Sequence, residues 1–165
     1  MQRRHVFLLG AAASMTLIPP ARMALAQGAA AIDEAKMPAL MGGAYAKMTS
    51  LLAQERAENP MVRTFAGLEI PEQDAVAAAF GAAGAEIPLR EDHAAALAAL
   101  QAMRGADFDR LYVDGQIAGH EELRGIHAAY AEQGGDPMAR GASMVGVPSI
   151  DTHLSILQGI RQQLA

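Results

Sequence analysis

From about Met37 to Leu164 the apolar residues of this chain recur three and four positions apart, and no stretch of useful length alternates apolar with polar. The first pattern builds one face of a helix and the second would build a half-buried strand, so the expected fold class is all-α. Glycine and proline cut the pattern into segments. A first helix is expected from Met37 to Glu58, with Met37, Met41, Ala44, Met48, Leu51, Leu52 and Glu55 on one face. Asn59-Pro60 pairs a capping residue with proline at the first helical position, opening a second helix through Val62, Phe65, Leu68, Val76 and Phe80. Gly81 and Gly84 end it, and residues 85–90, with Pro88, form a turn. Glu91 to Met103 is a short alanine-rich helix. Gly105 breaks that helix, Asp107 is placed to cap the next, and Phe108, Tyr112, Leu123, Ile126 and Tyr130 share its face as far as Gln133. Asp136-Pro137 repeats the cap-proline device for a last helical region to Leu164, with an interruption expected near Pro148. Four long segments with short connections describe a four-helix bundle, the Glu91 helix being an extra segment.

Residues 1–26 follow a different pattern. Arg3-Arg4 lead into an apolar run from Val6 to Ile18, followed by Pro19-Pro20 and by Ala24-Leu25-Ala26, an A-x-A cleavage pattern. The run is about 13 residues, short of the roughly 20 that a membrane-spanning helix needs, so it reads as a cleavable signal peptide rather than an anchor. The paired arginines suit the twin-arginine route as well as an ordinary secretory signal. Either way the expected destination is the periplasm, with residues 27–36 a flexible lead-in and 37–165 the bundle domain. Cleavage near Ala26 lowers Lys+Arg from 13 to 10 against 18 Asp+Glu, a net charge of -8. Nucleic acid is therefore not an expected partner, since duplex binding rests on clustered basic residues. The chain has no cysteine, which excludes disulfides, thiolate chemistry and cysteine zinc sites. Its core must hold the fold alone.

Polar residues stand where the helical pattern asks for apolar ones. Advancing 100° per residue puts Glu69 and Glu72 on the face of Phe65, Leu68, Val76 and Phe80, and Glu55 among Met48, Leu51 and Leu52. His153 falls between Ile150, Leu157, Ile160 and Leu164, while Asp109, Gln116, His120 and His127 form a stripe beside the core face of the third long helix. A carboxylate in an apolar interior is costly unless paired. Each long helix thus offers a polar group inward, as bundle proteins do around metals and cofactors. Pro71 and Pro148, expected to kink their helices, lie within a turn or two of these positions. A transition metal such as iron, copper or zinc, another small ligand, and a purely structural role with the carboxylates paired to arginines are all open. Glu69, Glu72, His120 and His153 are the first candidates for metal ligands, with Glu55, Asp109 and His127 second. Met37, Met41 and Met48 with a histidine offer a softer site suited to Cu(I). The Glu-x-x-His pairs of di-iron bundle proteins are absent, which disfavours a ferritin-like oxidase. Ser143, Ser149 and Ser155 lack a nucleophile-elbow context, so no catalytic residue is expected.

Phe65-Ala66-Gly67-Leu68-Glu69-Ile70-Pro71-Glu72-Gln73, then Phe108-Asp109-Arg110-Leu111-Tyr112 through Gln116 and His120, then Pro148 with His153-Leu154, carry a resemblance. Over roughly Leu51 to Ile160 the chain resembles the exported bacterial family catalogued as domain of unknown function 4142, related to ferritin-like bundles. The resemblance implies a ferritin-like helical bundle in the periplasm or envelope and implies no settled activity. It puts Tyr112, His120 and His153 at recurrent polar positions, while Glu72-Gln73 stand where many members carry Asp-His. The overall expectation is a non-enzymatic metal- or small-ligand-binding protein, or else a structural or protein-interaction module. If the signal is of the twin-arginine kind, changing Arg3 and Arg4 together to lysine should leave the precursor uncleaved inside the cell, as a fractionation blot would show; unchanged export would assign it to the general secretory route.

Overall fold

Two side-chain caps start helices where the sequence requires them. The computed structural model describes residues 32–165; the expected signal peptide, and the lead-in as far as residue 31, lie outside them. Five α-helices follow a 3₁₀ turn at Glu34–Lys36: α1 Met37–Arg56, α2 Pro60–Ala79, α3 Glu91–Ala102, α4 Gly105–Gln133 and α5 Pro137–Gln163. Asn59 accepts from the Met61 amide at the head of α2, and Asp136 accepts from those of Met138 and Ala139 at the head of α5. No strand occurs among the described residues, so the all-α assignment holds there. None of these helices is long and apolar enough to cross a membrane.

Three local expectations are corrected. Asp107 is not a cap: Gly105, at a φ of 61°, turns the chain into α4 two residues earlier, and Asp107 pairs with Arg110 within the first turn. Neither does Pro148 interrupt α5, nor Pro71 α2, for both helices run through. Each proline lies exposed, so the carbonyl that loses its amide partner sits on the wetter side of its helix. Regular structure also begins before Met37. Asp33 caps the 3₁₀ turn, and the buried Lys36 donates to the Phe80 carbonyl and to Asp136, joining the end of α2 to the start of α5.

The long helices touch in the order α1–α2–α5–α4 and back to α1, with α3 laid on α1 and α4. Cross-helix pairs give the directions. Asp109 meets Glu58, Tyr112 meets Ser50 and Gln116 meets Ala46, so α4 is antiparallel to α1. Glu69 meets His153 and Glu72 meets Ser149, so α5 is antiparallel to α2. Hence α2 and α4 run the same way, and residues 80–104 carry the chain back along the bundle between them.

Two apolar clusters form along this ring. One contains Ala53, Val62, Phe65, Phe108, Tyr112, Leu157 and Ile160; the other contains Ala39, Leu40, Phe80, Tyr130 and Ala139. Between them, counted along each long helix, lie the buried polar residues: Thr49 and Ser50 on α1, Glu69 on α2, Gln116, His120 and His127 on α4, Ser143 and His153 on α5. The helix α1 enters the core by a different face from the expected one. Ala39, Gly42, Gly43, Ala46, Thr49, Ser50 and Ala53 are buried, whereas Met48 and Leu51 are 41% and 47% exposed. Small side chains let α4 approach closely: an added Cβ on Gly42 would lie 2.6 Å from a Leu123 methyl. Leu68, expected in the core, is likewise 54% exposed.

Asp109 ties the ends of α1, α2 and α4. Buried on α4, it accepts from the Glu58 amide at 3.2 Å and the Asn59 amide at 2.7 Å in the α1–α2 turn. Hydrogen bonds to a charged acceptor contribute about 1.5–3 kcal/mol each, and orphaning their donors is costly. Urea denaturation of Asp109→Ala should therefore show a loss of roughly 2–3 kcal/mol, on the scale of one such bond, while exposed Glu55→Ala shows little change.

Candidate metal centre

The middle layer gathers the four first-choice residues. Glu69 is fully buried one turn beyond Phe65, and its Oε1 accepts from Gln73 Nε2 at 2.7 Å. Its Oε2 lies 3.1 Å from His153 Nδ1 and 3.4 Å from His120 Nε2, and those two nitrogens are 3.2 Å apart. Three atoms able to ligate a cation thus face one another, one from each of α2, α4 and α5. The Phe65 ring lies against both imidazoles, its centroid 5.2 Å from that of His153 and 5.8 Å from that of His120.

The outer nitrogens set the protonation of the inner ones. His120 Nδ1 lies 2.8 Å from the Gln116 carbonyl, which can only accept, so this nitrogen carries the proton and a neutral His120 turns the bare Nε2 inward. His153 Nε2 lies 3.3 Å from Glu72 Oε2, and Ser149 donates to the other oxygen of that carboxylate at 2.8 Å. Glu72 is half-buried and on the far side of the His153 ring, so it faces the imidazole rather than the three inner atoms. Glu69 Oε2 has no N–H directed along a good hydrogen-bond line, although two imidazoles are within reach.

Burial alone would push the Glu69 carboxyl up, but attraction to His120 and His153, with the Gln73 amide, outweighs it and holds the group at about 2. The Glu69 carboxylate beside Nδ1 raises the His153 imidazole above its usual range; burial opposes this, and the charge of Glu72 adds to it. Glu69 is therefore a carboxylate at neutral pH, and the cluster attracts positive charge.

The second-choice residues go elsewhere. Glu55 is exposed beside Leu52 and Leu97, because α1 is rotated as described. Asp109 serves the α1–α2 turn. His127 is buried with Nδ1 3.0 Å from Ser143 Oγ and its ring edge-on to Phe80. Ser143 thus has a histidine partner that its sequence context does not reveal, but both side chains are buried, and the hydroxyl faces no solvent. The methionine stripe is divided: Met37 packs on the Ala39–Phe80 cluster, and Met48 is exposed.

Several polar contacts had no sequence signal strong enough to single them out. Gln73 looks like a surface residue until its amide is seen on Glu69. Ser50 and Thr49 meet Tyr112 and Gln116 across the bundle, at 2.9 and 2.8 Å. His93 on α3 stacks on Tyr45, centroids 4.5 Å apart, and contacts Arg90, whose guanidinium also binds Glu122.

Fold and centre together define a helical-bundle protein with a carboxylate and two imidazoles converging in its interior. Residues 18–160 match the family described as domain of unknown function (DUF4142), and the chain belongs to it. No curated protein and no solved structure matches the chain significantly.

Burial lowers the His127 pKa below its ordinary 6.5. The unfolded chain then binds this proton more readily than the folded one, so acid draws stability away as the pH falls through about 6.5 toward the lower folded value. His127→Gln keeps a partner for Ser143 and cannot titrate; its unfolding free energy should fall less than the parent's between pH 7 and 5 in parallel urea titrations.

Proposed function

We propose that this chain is an exported, ferritin-like bundle protein of the periplasm that holds one divalent transition-metal ion between Glu69, His120 and His153. The observation that carries the reading is the convergence of Glu69 Oε2, His120 Nε2 and His153 Nδ1 at 3.1–3.4 Å, with both outer nitrogens engaged by acceptors. Ligands 2.0–2.1 Å from a tetrahedral ion stand about 3.3 Å from one another, which matches these separations. Two imidazoles and one carboxylate suit zinc or ferrous iron better than Cu(I) or calcium. Glu72 acts on the far nitrogen of His153, and the Gln116 carbonyl on that of His120, as the outer partners that orient metal-bound imidazoles do. The ferritin-like reading is supported by the antiparallel pairs α1/α2 and α4/α5 joined by a single long return, the connectivity of ferritin-like folds. The export reading rests on residues 1–26.

A second reading has its own support in the raised His153 and lowered Glu69 pKa values: a buried imidazolium–carboxylate pair that only fixes helix register. Calorimetry on the mature protein separates the two. The metal reading expects one equivalent of zinc or ferrous ion at micromolar affinity or better, loss of binding in Glu69→Gln and His120→Ala, and weakening of about 10–100-fold in Glu72→Gln. Zinc should also raise the melting temperature, because a ligand of the folded state alone stabilises it. No binding by the parent, or equal binding by all variants, leaves the ion pair as the function of the cluster. His153→Leu is a poor discriminator, since it strands the Glu69 charge and destabilises the metal-free protein in either case.

A further inference from the structure

A cleft of 820 Å³ lies between α1, α2 and the return segment, and none of Glu69, His120 and His153 lines it. Its volume falls in the range of small-molecule sites, and its lining has their character, mostly apolar with a few polar groups. Leu40, Ala44, Met48, Leu51, Val76 and Ile87 supply the apolar surface. Met48 and Leu51 belong to the face of α1 that the apolar pattern marks as core, so a strong apolar face is turned into a cavity instead. Methionine there can adapt to an irregular guest.

The charges in the cleft are Lys47, Asp74 and Glu86. Lys47 and Asp74 form an ion pair with each other. Glu86 is exposed and has no ion-pair partner among the described residues, which leaves the cleft with one uncompensated negative charge. Gln73 joins the cleft to the centre. It lines the cleft, and an added Cβ on Gly43 would lie 2.5 Å from its Oε1, so α1 must be bare there for the amide to sit. Its Nε2 is the donor to Glu69 Oε1.

We propose that the cleft binds a small amphiphile with an apolar body and a cationic end, and that Gln73 transmits its occupancy to Glu69. The body removes the Met48–Leu51 surface from water, and the cation meets Glu86 while an anion of the same length is repelled. A guest that displaces the Gln73 amide alters the hydrogen bonding of Glu69, so the two sites share a coupling free energy. The binding holds whether or not the centre carries a metal.

The test uses decylammonium, decanol and decanoate below their aggregation concentrations, titrated calorimetrically into the mature protein. Decylammonium should bind one to one, and at least tenfold more tightly than either of the others. Ala44→Phe on α1 and Ala85→Phe on the return segment fill the cleft from two walls, and the second is exposed enough to leave folding intact. Both should weaken binding more than tenfold with the helical circular dichroism spectrum retained. In nitrogen-15 spectra recorded with each protein saturated by decylammonium, the His120 and His153 ring signals should move in the parent and stay still in Gln73→Leu, whatever the affinity of that variant. The proposal is overturned if no probe binds, if Ala85→Phe binds like the parent, or if decanol or decanoate binds as tightly as the amine. Histidine signals that stay fixed in the parent would remove the coupling. None of these outcomes depends on the zinc titration, so the metal reading and this one fail separately.

Discussion

A fully buried carboxylate at the middle of the bundle imposes conditions that the surrounding residues meet. Glu69 has almost no contact with water, and the effective penalty for burying an ion is several kcal/mol unless its lone pairs are engaged. Gln73 answers one oxygen from the same helix, and His120 and His153 bring positive or polarisable nitrogen to the other. Those imidazoles are themselves held: His120 by the Gln116 carbonyl one turn back, His153 by Glu72. Gln116 is anchored in turn to Thr49, and Tyr112 to Ser50 on the facing helix. The charge on α2 is thus connected through hydrogen bonds and ring contacts to every other long helix. A shift in register of any one would break a link.

The apolar clusters on either side make this network affordable. Phe65, Phe108, Leu157 and Ile160 pack to one side, and Leu40, Phe80 and Tyr130 to the other, so the polar layer is sealed along the bundle axis by well-packed side chains. With no cysteine to cross-link it and few aromatics to fill it, the interior relies on close helix approach. From Gly42 to Ala53 on α1 that need selects alanine, glycine, serine and threonine over methionine and leucine. The same small residues that admit α4 expose two hydroxyls to Tyr112 and Gln116, so packing and polar satisfaction come from one choice of face.

This explains which parts of the molecule were legible in sequence. The caps Asn59 and Asp136, each followed by proline, placed two helix starts because the cap is a local interaction between neighbours. Glu69, His120 and His153 were legible as anomalies, polar residues at helical spacing within apolar rows. The face of α1 was misread because hydropathy weights large side chains, whereas close approach rewards small ones. That error carried Glu55 and Met48 inward with it. Asp109 was read as a ligand because burial was visible in the pattern, but its partners, two amides in a turn about 50 residues away, were not. Gln73 stood out only as a departure from the family's Asp-His, and its bond to Glu69 was not legible, since a half-buried amide at the edge of a helix face looks like any surface residue until the carboxylate beside it is known.

Charge balance bears on what the centre holds. Glu69 and Glu72 together bring two negative charges to the two nitrogens of the His153 ring, while a His120 that turns a bare Nε2 inward, with its proton on Nδ1 toward the Gln116 carbonyl, adds none. A proton on His153 offsets one of them and leaves the cluster with an excess negative charge, tolerable only because Glu72 reaches solvent. A divalent ion between Glu69, His120 and His153 offsets both, and it also directs a cation at the Glu69 oxygen that no N–H addresses. On the proposed reading, Glu72 therefore has two tasks, holding the imidazole by its far nitrogen and completing the neutral charge of the site. An uncharged glutamine at position 72 could still hold the ring through its amide oxygen, but it would leave the occupied centre with a net positive charge in a low-dielectric interior. The penalty would fall on the metal-bound state more than on the metal-free one, because only that state carries the uncompensated charge.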